Sequence, residues 1–118
     1  SIPTENIKNE EFVHTIKEIN SLLAAIYTAY PNITSSDETI LDCYVPEIID
    51  LVKKYVALTN QPVQTNVSNK ICSEITFIIN DFKNAIEKHL HDQQDESILP
   101  VLSEIKAIRT KMTMDGFM

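Results

Sequence analysis

The stretch Ile71–Leu90 reads ICSEITFIINDFKNAIEKHL and places apolar residues at Ile71, Ile75, Ile78, Phe82 and Ala85, in alternating steps of four and three. Cys72, Ile79 and Ile86 make a second row beside the first. On a helix the two rows merge into one broad apolar face, flanked by Glu74, Asn80, Asp81, Lys83, Asn84, Glu87 and Lys88. A single neighbouring helix cannot cover a face that wide. The stretch is therefore read as a central helix with the rest of the chain packed around it.

Working outward, the segment before it carries the same signature. Phe12, Ile16, Ile19, Leu23, Ile26 and Tyr30 repeat at the spacing of a helical seam, with Asn9 placed as N-cap and Glu10 and Glu11 against the positive helix end. Pro31 ends that helix, because the residue before proline is driven out of helical geometry. Asn32 to Asp37 is a connector rich in capping residues, and Ser35 with Glu38 reads as a capping box for a second helix. Leu41, Tyr44, Ile48, Leu51, Tyr55 and Leu58 mark its apolar face. Pro46 lies inside it, so the helix either kinks there or divides in two, with Pro46 opening the second part. Thr59 to Ser68 has no helical period, and Thr65 or Ser68 can cap the central helix.

Beyond the central helix, His91 to Glu96 (HDQQDE) holds no apolar residue and reads as a solvated turn, with Asp95 as the next N-cap. Ile98, Leu102, Ile105, Ile108 and Met112 mark a last helix, in whose first turn Pro100 is tolerable, and Met114 to Met118 is expected to fray. Four helices with short connectors predict an all-α, four-helix bundle, or five helices if the second breaks at Pro46, in a single domain over 1–118.

Composition removes several function classes. The one glycine, Gly116, excludes Gly-rich phosphate loops and nucleophile elbows, and argues against a sheet with tight hairpins. With 10 basic and 17 acidic residues the net charge is −7, which repels nucleic acid and anionic membrane surfaces. No apolar run approaches the roughly 18 to 20 residues of a membrane span, so no membrane insertion is expected. His89 and His91 point apart on a helix, His14 sits one turn from Glu10 and from Glu18, and no HxxxH pair exists. Neither a metal nor a cofactor is expected. No local signature of a nucleophile and base occurs, and an enzyme is not expected.

Cys43 and Cys72 bear on the topology. In a plain antiparallel hairpin of the second and central helices they differ in height by roughly 15 Å, at 1.5 Å rise per residue. A disulfide needs Cα atoms within about 7 Å. The two are therefore free buried thiols, or the Thr59–Ser68 connection crosses back along the bundle and brings Cys72 level with Cys43; a sharp reversal at Pro46 is a third route. Two sequons, at Asn32 and Asn66, fall in expected loops and are candidate glycosylation sites. The chain starts at Ser1, as a processed mature end or a trimmed boundary would.

These features point to a secreted, non-catalytic bundle that acts by binding. The excess of apolar helix surface motivates a small apolar ligand of the fatty acid or sterol type, held between helices. The cavity candidates are Ile26, Tyr30, Tyr44, Ile48, Tyr55, Ile75, Ile79 and Phe82. The alternatives are a cytokine-like or inhibitor-like module that docks on a protein partner, and a cytosolic adaptor or regulatory bundle with free thiols.

Overall fold

The computed structural model describes residues 1–29 and 31–118; Tyr30, a cavity candidate, lies outside the described residues. The chain is all-helical: α1 (Glu10–Tyr27), α2 (Ser35–Thr39), a π turn (Ile40–Tyr44), α3 (Val45–Thr59) and α4 (Asn66–Met114). α2, the π turn and α3 follow without a break. Contacts divide the chain into two compact units, Ser1–Ile86 and Glu87–Met118.

The caps explain where the helices begin. The Asn9 side chain accepts from the Phe12 amide at 3.1 Å, satisfying one of the free N–H groups of α1. For α2 the capping box falls one residue earlier than the Ser35–Glu38 pairing: the Asp37 amide donates to Thr34 Oγ1 at 3.1 Å and the Thr34 amide to Asp37 Oδ2 at 3.0 Å. Thr65 caps α4 in the same reciprocal way with Ser68, at 3.0 and 2.9 Å. Pro46 is accommodated by the π turn before it. The Val45 amide reaches back five residues to the Ile40 carbonyl, and this wider turn relieves the clash that a proline ring makes in a continuous α-helix.

In the first unit, Phe12, Ile16, Ile19, Leu23 and Ile26 of α1 pack with Val45, Ile48, Val52 and Tyr55 of α3 and with Ile75, Ile79 and Ile86 of α4, all buried. Phe12 stacks on Tyr55 with ring centroids 4.2 Å apart. Lys83 Nζ on α4 meets Glu18 Oε2 on α1 at 3.4 Å. The polar N-terminal segment is also held in place. Ile2 is 2% exposed, its amide donates to Asn20 Oδ1 at 2.7 Å, and Asn20 Nδ2 donates back to the Ile2 carbonyl at 2.9 Å.

The four-helix bundle expected from the sequence is not formed, and neither is the five-helix variant. No turn interrupts His91–Glu96; one helix of 49 residues, α4, takes the place of the expected third and fourth. The segment has no glycine or proline, and its charges are as well solvated on a helix as in a turn. Lys88 Nζ pairs with Asp92 Oδ2 one turn on, at 2.9 Å, and Ser97 Oγ donates to the Gln94 carbonyl at 2.7 Å. Pro100 lies inside the helix, where its missing N–H deprives only the exposed Glu96 of a partner.

The end of the second unit is capped rather than frayed. The Phe117 amide donates to the Met112 carbonyl at 2.9 Å and the Gly116 amide to that of Thr113 at 3.2 Å. With Gly116 at φ 80°, this is a Schellman motif, and it explains the position of the one glycine.

Candidate functional site

The broad face of α4 is only partly covered. Ile75, Ile79 and Ile86 enter the core, while Ile78 and Phe77 stay exposed at 45% and 65%. Along the uncovered edge runs a groove between α4 and the π turn with α3, of about 470 Å³. Its apolar wall from one side is Ile40, Tyr44, Ile48 and Leu51, and from the other Ile78, Phe82, Ala85 and Ile86. The π turn brings Ile40 and Tyr44 into this wall, and the Tyr44 and Phe82 rings face each other with centroids 6.3 Å apart. Glu47 and Asp81, both exposed, supply its only carboxylates, one from each helix. The volume lies within the range of small-molecule pockets, about 300 to 1,000 Å³.

Three of the cavity candidates, Tyr44, Ile48 and Phe82, line this groove. Ile26, Tyr55, Ile75 and Ile79 are core residues instead, at most 6% exposed. Periodicity places a residue on the apolar face but does not say whether another helix covers it. Ile40, Leu51, Ile78, Ala85 and Ile86 complete the wall. Of these, Leu51, Ile78, Ala85 and Ile86 stand on the apolar faces that helical spacing marks, which is the one signal that pointed to them.

No Cys43–Cys72 bond is formed in this structure: both cysteines are free, the former exposed and the latter half-buried. The register of α3 against α4 gives the reason. Tyr44 lies beside Phe82, and Tyr55 interacts with Cys72, so the helices run antiparallel as a plain hairpin. Cys43 is thus level with α4 about eleven residues beyond Cys72, or roughly 16 Å along the axis. Burial pushes the Cys72 thiol above its ordinary value of 9.0. Burial also raises the Tyr55 phenol above 10.0; its hydrogen bond with the Asn9 side chain acts the other way, and Cys72 adds to the rise.

Asn32 is exposed in the α1–α2 connection. Asn66 is exposed too, but it opens α4 rather than lying in a loop, and the hydroxyl of its sequon partner Ser68 is tied to Thr65 at 3.2 Å. Among the described residues, no three His, Cys, Asp or Glu side chains gather closely enough to hold a metal ion, and no helix is long and apolar enough to cross a membrane.

No protein family matches the chain, and neither a curated protein nor a solved structure matches it.

Proposed function

We propose that the chain is a non-catalytic binding protein whose groove between α3 and α4 takes a small apolar ligand. The observation that carries the reading is a continuous apolar wall of ligand size, with the Tyr44 and Phe82 rings facing each other across it. The rim narrows the ligand class. Glu47 and Asp81 flank the opening, and the chain carries −7 net charge, so a fatty acid carboxylate would face like charges. A neutral, sterol-like molecule with a hydroxyl to donate fits better than a fatty acid.

Equilibrium titration with a fluorescent sterol and with a fluorescent fatty acid tests this. Saturable sterol binding that is lost in Ala85→Trp, which fills the groove, supports the reading. Equal binding by wild type and variant, or preference for the fatty acid, sinks it. Secretion fits the exposed Asn32 sequon, but the hairpin register removes a Cys43–Cys72 bond from its support. The same register favours, as a second reading, a cytosolic regulatory protein with free thiols. Intact mass of the protein purified from its natural source separates them, since only the secreted form would carry a glycan on Asn32.

A further inference from the structure

The second unit presents an apolar stripe that its own residues leave uncovered. Ile98, Val101, Ile105, Ile108 and Met112 recur in steps of three and four along α4, the a and d spacing of a coiled-coil seam, and each is between 37% and 57% exposed. Isolated exposed apolar residues are ordinary; five in heptad register on one face are not. Pro100 falls at a c position, away from that seam, so its missing amide does not interrupt the packing face.

The flanking charges identify what covers the stripe. With Ile105 at a, Glu104 is at g and Arg109 at the following e, the two positions that meet across a parallel pair of helices. Neither is satisfied along its own helix. One turn either side of Glu104 stand Pro100, Val101, Ala107 and Ile108; around Arg109 stand Ile105, Lys106, Met112 and Thr113. One face thus carries both halves of an ion pair, and a parallel copy of the same face completes it at every contact. We infer that residues 97–114 are a self-association surface, pairing in parallel with the same stretch of further copies of this chain. β-Branched residues at both a and d (Ile98 and Ile105 with Val101 and Ile108) favour three strands over two.

Sedimentation equilibrium of the full chain under reductant, from micromolar to millimolar concentration, tests the inference. The expected result is a mass that rises from 13.4 kDa to a plateau of two or three copies. Ile105→Asp, which places charges in the seam, should hold the chain monomeric with unchanged helicity by circular dichroism. Glu104→Arg and Arg109→Glu should each weaken assembly by about fivefold, and the two together should restore it, which keeps the test decisive if Ile105→Asp alters the helix. A chain that stays at 13.4 kDa throughout overturns the inference. So does assembly that survives Ile105→Asp, a double charge swap that fails to restore it, or a monomer that cosediments with anionic phospholipid vesicles through this face.

Discussion

Tyr44 and Phe82 face each other across the groove with centroids 6.3 Å apart and planes tilted by 32°, one presented by a π turn and the other by a straight α-helix. The pair spans the apolar groove and marks the register of α3 against α4. Tyr44 is nevertheless 51% exposed, so it contributes more to what the groove can hold than to the core.

Tyr44→Ala should therefore weaken binding of a groove ligand by about 3- to 10-fold, the worth of one aromatic contact. Its effect on stability should stay under about 1 kcal/mol. A fluorescence titration beside a urea melt reads both quantities, and a large loss of stability with unchanged binding would count against the groove as the site.

Ile78 and Ile79 are adjacent in sequence and opposite in environment, at 45% and 0% exposure. Ile79→Ala should cost about 2 to 5 kcal/mol, the transfer term plus the cavity left behind. Ile78→Ala should cost under about 1 kcal/mol. Urea unfolding of the two variants checks the orientation of α4, and similar losses would mean that it is rotated from the position described.

Raised Tyr55 and Cys72 pKa values have a definite consequence for alkaline stability. Both groups are neutral when protonated, and the folded state holds their protons longer than the unfolded chain does. Their contribution is complete below the unfolded values, near 9.0 and 10.0, and is lost as pH rises through the higher folded values. Stability should decline from about pH 9 upward, and Tyr55→Phe should flatten the upper part of that decline. Denaturant melts between neutral and strongly alkaline pH measure the slope; a slope unchanged in Tyr55→Phe and in Cys72→Ala would assign the loss to other groups.

The two thiols should differ in reactivity. Cys43 is exposed, whereas Cys72 is half-buried with its thiol pushed up by that burial, so iodoacetamide should label Cys43 first under native conditions. Peptide mapping at short times shows the order. A Cys43–Cys72 bond found under oxidising conditions would require α3 and α4 to slip by about three turns.

The sequence was most informative where a pattern had a single physical solution. The seam of α1 from Phe12 to Ile26, its Asn9 cap and the excess width of the α4 face all follow from spacing and capping chemistry, and the structure has each. His91–Glu96 was different. A polar run without glycine or proline satisfies its backbone equally in a turn or in a helix, and the Lys88–Asp92 pair favours the latter. Pro46 announced a disturbance, but no residue type encodes a five-residue hydrogen bond, so the π turn was not legible. The groove was half visible: Tyr44, Ile48 and Phe82 were singled out, while Ile75 and Ile79 show that an apolar position does not reveal which neighbour covers it.

That π turn also sets the phase of α2, which runs into it without a break. Each residue advances an α-helix by about 100°, so a chain shorter by one residue between Ile40 and Tyr44 would rejoin a regular helix with α2 turned by that angle about its axis. Ile40 would leave the groove and the buried Asp37 would swing with it. The place of Ile40 in the groove wall therefore depends on the number of residues in the chain as much as on their identity.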